Sequence, residues 1–208
     1  MGTRGAIGFR INNEDKVTYN HFDSYPSYLG AEILGFIQKT DLKKLKENVS
    51  KLTLVDSQDV PTSKQIDECL PWLESENIHK SPDWYSLLNE LQGGLNAYLQ
   101  GLPYMIDSSG FLLDSLFCEY AYIINLDEQV LEFYCGFNKK ASNRKGRYAH
   151  IKEDDNKYYG IALIKKYPLS DIVNSQFNLE ETIAEMESKV RAFRKKQESE
   201  LNKESISA

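Results

Sequence analysis

FCEYAYIINLDEQVLEFYCGF, residues Phe117–Phe137, is the stretch of this sequence that decides the fold. Phe117–Leu126 and Val130–Phe137 are rich in aromatic and β-branched residues, and the polar segment 127–129 separates them. Two runs of this kind around a short polar connection predict an antiparallel β-hairpin.

A second hairpin is predicted near the N-terminus, where Thr3–Ile11 and Lys16–Phe22 alternate around the polar turn Asn12–Asp15. Alternation places four residues on one side of its second strand: Val17, Tyr19, His21 and Asp23. Leu52–Val55 and Tyr158–Lys166 predict further strands. Neither hairpin contains a crossover of helical length, so we predict that both belong to one mainly antiparallel sheet.

Apolar residues at helical spacing between and after the hairpins predict helices that cover this sheet. One helix begins near Ser27, after Pro26 has ended the strand, and Asp41 caps the next. Ser81 and Pro82 indicate another helix start, with Ser81 as the cap. The predicted fold class is therefore α+β, with a mainly antiparallel sheet of two or more hairpins packed against several helices.

The last helix is predicted to be long and amphipathic, with Asn178 as its cap. Its apolar positions recur at steps of 4, 3, 4 and 3: Leu179, Ile183, Met186, Val190 and Phe193. This stripe is expected to cover the sheet, and the alternative is a homodimer through the 179–193 helix. We expect a single domain over residues 1–199 and a frayed tail over 200–208.

Composition excludes several classes of protein. The chain is 41% hydrophobic and 27% charged, which is typical of a globular protein, and its net charge of −6 argues against general binding of nucleic acids or anionic membranes. No apolar run has the length of a membrane span or of a signal peptide core. Cys69, Cys118 and Cys135 show no CxxC spacing, so reduced thiols and a cytoplasmic location are expected, without a metal site or a cofactor. Motifs of P-loop, Rossmann and zinc-protease type are absent from the sequence.

The densest polar cluster is Tyr19–Pro26, at the predicted junction of a strand and a helix, where helix N–H groups favour anions. His21 and Asp23 point the same way in this prediction, so Asp23 could orient the imidazole for general-base catalysis. The alternative is a hydrogen-bonded structural His21 and a helix-capping Asp23. The candidate ligand contacts around this pair are Arg4, Tyr19, Asn20, Tyr25 and Trp84.

Glu119 is the third candidate catalytic residue, because alternation places it on an apolar face with Phe117, Ala121 and Ile123. A buried carboxylate is costly unless it is paired. Glu119 is therefore expected either to meet a cation, with Arg4 the first candidate, or to have a raised pKa and a functional role. The same alternation places Cys118 on the opposite face, with Tyr120 and Tyr122.

Two other segments could contribute to a site. Trp84 and Tyr85 are neighbours on a helix, so one is expected to enter the core while the other forms an exposed aromatic wall. Segment 138–157 is polar, with basic residues between 139 and 147, and is predicted to be a long mobile loop.

Several short motifs together resemble an uncharacterised protein family of bacteriophages, bacteria and fungi. They are MGTRG at 1–5, YNHFDSYP at 19–26 with Leu29-Gly30, DWY at 83–85, Gln92-Gly93 and LFCEY at 116–120. The resemblance covers roughly residues 1–135 and brings no established activity with it. Its phage members imply a counter-defence role, in which a small protein binds or destroys a nucleotide immune signal.

Three functional interpretations follow. The first is a binding protein that sequesters a small anionic ligand, such as a nucleotide, and the residue types favour it. The second is a hydrolase or transferase with His21 as base, Asp23 as its orienter and Arg4 as anion stabiliser. The third is a protein-interaction module that uses the last helix.

Overall fold

The computed structural model describes residues 2–73, 83–91, 93–141, 146–152 and 157–206. Its strands are β1 (Gly5–Ile11), β2 (Glu14–Asn20), β3 (Thr53–Val55), β4 (Tyr104–Ile106), β5 (Tyr120–Asn125), β6 (Val130–Cys135) and β7 (Ala162–Pro168). Its helices are α1 (Ala31–Lys39), α2 (Leu42–Lys51), α3 (Ser63–Cys69), α4 (Trp84–Leu88), α5 (Asn96–Gln100), α6 (Leu169–Ile172) and α7 (Leu179–Ile206).

The main sheet has five strands in the order β2-β1-β5-β6-β7, and β3 pairs with β4 in a separate two-stranded sheet. Within the main sheet β1 and β5 are parallel, while the other three pairs are antiparallel. Both predicted hairpins therefore lie in one mostly antiparallel sheet, and the α+β prediction is confirmed. The last strand begins at Ala162 rather than at the predicted Tyr158.

The first hairpin turns more tightly than predicted. Ile11 pairs directly with Glu14, so only Asn12 and Asn13 form the loop, and their φ angles are 53° and 63°. Two residues of positive φ match the twist of the flanking strands, and asparagine tolerates this conformation better than most residues. Glu14 and Asp15, predicted as turn residues, belong to β2.

Asp127, in the turn of the second hairpin, joins the two hairpin turns. Its two carboxylate oxygens accept hydrogen bonds from the backbone N–H groups of Asn13 and Asn12, each at 2.9 Å. These bonds hold the pKa of Asp127 below its usual range, because they stabilise the ionised carboxylate. The end of the sheet that carries the two hairpin turns is thus fixed by a contact between residues far apart in the chain.

One face of the sheet packs against the helices. Ile7 and Phe9 of β1 share a core with Met186 and Val190 of α7, and Leu179, Ile183 and Phe193 pack against its edge. The predicted packing of the stripe on the sheet is therefore confirmed. A homodimer through the same stripe would require α7 to leave the sheet, and dimerisation stays a prediction.

The ends of α7 are set by its sequence. The Asn178 side chain accepts a hydrogen bond from the Glu181 N–H at 3.1 Å, which confirms the predicted cap. At the other end the helix continues past Ser199 to Ile206, although a frayed tail was expected there. In the part of the chain that the structure describes, no helix is long and apolar enough to cross a membrane.

The opposite face of the sheet carries a smaller core, in which Cys118 packs with Ala121 and Ile123. The prediction that Cys118 lies with Tyr120 and Tyr122 is wrong, because regular strand geometry begins only at Tyr120. Alternation therefore cannot be extended backwards through residues 117–119. All three cysteines are buried and form no disulfide.

Part of segment 138–157 covers this second face. Asn138 is buried, and its side-chain amide donates to the carbonyls of Ala149 at 3.2 Å and Gly160 at 2.9 Å. Tyr148 and Ala149 are also buried. The prediction of a long mobile loop is wrong for the described residues, because their polar groups find partners inside the protein. The basic residues 144 and 145 and the acidic residues 153–155 lie outside the described residues.

The structure shows which residues cap two of the other predicted helices. Asp41 caps α2 by accepting hydrogen bonds from the N–H groups of Lys43 and Lys44. For α4 the cap is Asp83, whose carboxylate accepts from the Ser86 N–H at 2.7 Å. The predicted Ser81 cap and Pro82 lie outside the described residues.

A buried carboxylate, Glu132, anchors the covering segment to the sheet. It is fully buried and accepts hydrogen bonds from Asn125 Nδ2 at 3.0 Å, Tyr134 Oη at 2.8 Å and Arg147 Nη1 at 2.8 Å. Arg147 also pairs with Asp15 on β2, with 2.8 Å between Nη2 and Oδ1. Burial alone would raise the pKa of Glu132, but the bonds from Arg147 and Asn125 outweigh it and lower that pKa.

Arg147→Ala is predicted to lower the free energy of unfolding by about 3 kcal/mol, because it leaves a buried carboxylate without its main cation. Lys166, with Nζ 3.5 Å from Glu132, limits the loss. Urea unfolding at neutral pH measures it. The control is Arg191→Ala, which removes an exposed pair with Glu187 and should cost less than about 1 kcal/mol. Equal losses for the two variants would contradict a structural role for the Glu132 network.

Candidate functional site

The candidate site lies at the end of the sheet where β1 and β5 begin and β2 ends. Arg4 precedes β1 and Glu119 precedes β5, and the Glu119 N–H donates to the Arg4 carbonyl at 3.1 Å. His21 follows directly after β2. Segments far apart in the chain therefore bring a cation, a carboxylate and an imidazole to one edge of the protein.

His21 is exposed and is oriented by Tyr19. Its Nδ1 lies 2.9 Å from the Tyr19 hydroxyl, and its ring packs edge-on against Phe22 at 4.1 Å. Burial raises the pKa of Tyr19, and the tautomer of the imidazole decides whether the hydroxyl or Nδ1 is the donor in this bond. In both tautomers the bond occupies Nδ1, so Nε2 is the ring nitrogen that remains for a ligand.

Asp23 neither orients His21 nor caps the following helix. Within the described part of the chain its carboxylate has no hydrogen bond to His21, and the helical turn Pro26–Gly30 has no side-chain cap. The φ angle of Asp23 is 50°, a left-handed conformation that aspartate adopts more readily than most residues. Asp23 therefore serves the reversal of the chain between β2 and α1, and both predicted roles for its side chain are corrected.

Asn20 holds this reversal in place. Its side-chain amide donates to the Phe22 carbonyl and to Ser24 Oγ, the latter at 2.7 Å. Gly93 packs so closely that a Cβ there would lie 2.3 Å from Asn20 Oδ1. Asn20 thus supports this segment from inside the protein. Gln92, which precedes Gly93 in the sequence, lies outside the described residues.

Two exposed phenylalanine rings, Phe22 and Phe117, pack against His21 and Arg4 respectively. The Arg4 guanidinium lies over the Phe117 ring, 5.7 Å from its centroid. Phe22 is 62% exposed and Phe117 is 49% exposed, which is unusual for phenylalanine. We call Arg4, His21, Phe22 and Phe117 the His21 surface. Sequence reasoning missed both rings as site residues. Alternation assigned Phe117 to an apolar face and Phe22 to the side of its strand opposite His21.

Glu119 is half-buried beside two arginines. Burial raises its pKa, and Arg194 opposes this most strongly, followed by the backbone N–H and side chain of Arg4. Arg194 on α7 therefore lowers the pKa of Glu119 more than the side chain of the predicted Arg4 does. Arg194 follows Phe193, the last residue of the apolar stripe, so its place next to that stripe is visible in the sequence, whereas its proximity to Glu119 is not.

Two predicted ligand contacts lie elsewhere. Trp84 is 3% exposed, with its ring 4.7 Å from that of Tyr104 in the main core, while Tyr85 is 52% exposed. The predicted division between one buried and one exposed aromatic is confirmed, and Trp84 is not available to a ligand. Tyr25 is half-buried, with its ring 6.2 Å from that of Tyr28.

The His21 surface is open. A cleft of about 690 Å³ lies between α1 and residues 93–99, and none of the predicted site residues lines it. Among the described residues no group of three or more His, Cys, Asp and Glu is arranged to hold a metal ion.

Comparison of the chain with protein-family models, curated proteins and solved structures found no match. The family resemblance of the short motifs stays a hypothesis. Function must therefore be argued from the geometry of the site.

Glu119→Gln is predicted to flatten the dependence of stability on pH. The pKa of Glu119 is raised above its unfolded value of about 4.3, so its contribution to stability is greatest below that pH and falls as pH rises through the raised pKa. The glutamine variant lacks this fall and should be at least as stable as the wild type at pH 7.

Urea unfolding between pH 4 and pH 7 tests this expectation. Glu47→Gln, at an exposed position of α2, is the matched control and should follow the wild-type profile. A large loss of stability at pH 7 for Glu119→Gln alone would show that its attraction to Arg194 outweighs its burial.

Proposed function

We propose that this chain is a binding protein for a small anionic ligand, of which a nucleotide is the class that fits best. The observation that carries the proposal is the His21 surface, where the exposed Phe22 and Phe117 rings accompany the exposed Arg4 and His21 side chains. Nucleotides combine a planar base with a charged phosphate, and this surface offers groups that match both parts.

The chemistry of the four residues supports this match. Aromatic side chains stack on bases without needing a particular base, because every base has a π-face. Arginine binds phosphate through its planar, permanently charged fork. His21 adds a ring nitrogen, Nε2, because the bond with Tyr19 occupies Nδ1.

Binding is favoured over conversion of the ligand. A general-base histidine is usually oriented by a carboxylate on its other ring nitrogen, whereas Nδ1 of His21 is bonded to the Tyr19 hydroxyl. The carboxylate that was expected to orient the imidazole, Asp23, does not contact it. We therefore propose that the ligand is held unaltered, as in sequestration of a nucleotide signal. The resemblance to a family with phage members would make counter-defence the process served.

The test is retention of ligands from a mixture of nucleoside mono-, di- and triphosphates. The purified protein is separated from unbound nucleotide, and mass spectrometry identifies what is retained and whether it is chemically changed. We expect retention without conversion. Arg4→Gln and Phe117→Ala should each weaken binding roughly tenfold, because each removes a charge-assisted or stacking contact.

Two control variants each remove the same kind of group, a cation or an aromatic ring, as the variants of the His21 surface. Lys43→Gln removes an exposed cation on α2, and Tyr28→Ala removes an exposed ring that is not part of the His21 surface. Both should retain wild-type affinity. Conversion of the nucleotide would replace this proposal with an enzyme, and unchanged affinity in Arg4→Gln and Phe117→Ala would place the site elsewhere.

A further inference from the structure

A second cationic and aromatic pocket lies beside the C-terminal half of α7. Its volume is about 190 Å³. It is lined by Phe137, Lys139, Tyr158, Arg194, Gln197, Glu198 and Leu201.

Gln197 makes this pocket a fixed structure. Its side chain is nearly fully buried and accepts a hydrogen bond from the Lys139 N–H at 2.7 Å. It also donates from Nε2 to the Phe137 carbonyl at 2.9 Å. The backbone after β6 is thereby tied to α7, and Phe137 adopts a φ of 56°.

This arrangement holds two cations against two rings. The Arg194 guanidinium lies 5.0 Å from the centroid of Phe137, and Lys139 Nζ lies 5.7 Å from that of Tyr158. The rings restrict where the cations can lie and keep their positive charge at the pocket.

One nitrogen of the Arg194 guanidinium has no hydrogen-bond partner among the described residues. This nitrogen, Nε, is buried. Nη2 of Arg194 makes one long contact, 3.4 Å from the Tyr120 hydroxyl. Buried polar groups almost always have partners, so an unpaired buried N–H beside a cavity is a reason to look for an acceptor that enters it.

We infer that this pocket binds the phosphate group of a small phosphorylated ligand. A phosphate carries close to two negative charges at neutral pH and three acceptor oxygens, which match the two cations Arg194 and Lys139 and the unpaired Nε donor. The Phe137 and Tyr158 rings form walls for an adjoining planar group. Glu198 is an exposed carboxylate at the rim of the pocket, and its negative charge repels the phosphate.

The inference rests on residues separate from the His21 surface, so the two proposals can fail independently. Inorganic phosphate and phenyl phosphate are the probes, and binding is measured by isothermal titration calorimetry at constant ionic strength. We expect both to bind, with phenyl phosphate the tighter, because its ring adds contact with the aromatic walls. Acetate, with a single charge, should bind more weakly than phosphate.

The sharpest test compares two variants that are expected to change phosphate affinity in opposite directions. Lys139→Gln should weaken phosphate binding roughly tenfold by removing a cation, and Glu198→Gln should strengthen it by removing the opposing acid. Both side chains are exposed, so neither change threatens the fold. Arg194→Gln should weaken binding at least as much as Lys139→Gln.

Two controls complete the design. Lys152→Gln removes another exposed lysine that lies over a tyrosine ring, Tyr159 at 5.6 Å, and should leave phosphate binding unchanged. Arg4→Gln should also leave it unchanged, which separates this pocket from the His21 surface. Absence of phosphate binding, or equal affinity in Lys139→Gln and Glu198→Gln, would overturn the inference.

Discussion

The parallel pairing of β1 with β5 is the constraint on which the rest of the structure depends. Each hairpin alone would be a two-stranded ribbon, which is marginal in water. Pairing them in parallel makes one sheet and places the first residues of both strands at the same edge. Because β2 and β6 run back against their partners, their last residues reach that edge as well. Arg4, His21, Glu119 and Phe137 therefore all lie at this edge, next to the ends of four consecutive strands of the sheet.

The two ends of the sheet use polar residues in different ways. At the end with the hairpin turns, Asp127 and Glu132 accept hydrogen bonds from groups of the same chain, and Arg147 is shared between two carboxylates. Such a satisfied network rigidifies the fold and has little left to offer a ligand. At the opposite end, Arg4 and His21 are exposed and Arg194 has a buried N–H without an acceptor among the described residues. The end with incomplete pairing is therefore the better candidate for recognition.

The sequence predicted what depends on local patterns and missed what depends on distant partners. Both hairpins, the Asn178 cap and the packing of the α7 stripe follow from alternation, capping chemistry and helical spacing. Segment 138–157 was misjudged because its polar residues, such as Asn138, are satisfied by groups that no local pattern reveals. The pairing of His21 with Asp23 failed because alternation assumes extended backbone, whereas Asp23 has a positive φ. The partner of Glu119 was missed because Arg194 lies far along the chain on another element.

The charge of the chain favours a small anion over a nucleic acid as the proposed ligand. The chain carries 31 acidic and 25 basic residues, so its average surface repels a polyanion. Electrostatic effects at the surface fade over about 8 Å at physiological salt, so a small anion senses mainly the groups it touches. Burial raises the pKa of Glu119, and Arg194 and Arg4 oppose that rise. One carboxylate beside two arginines leaves a net positive charge at this edge, which favours a compact anion. A long nucleic acid would gain the same contacts but would also meet the net negative charge of the rest of the chain.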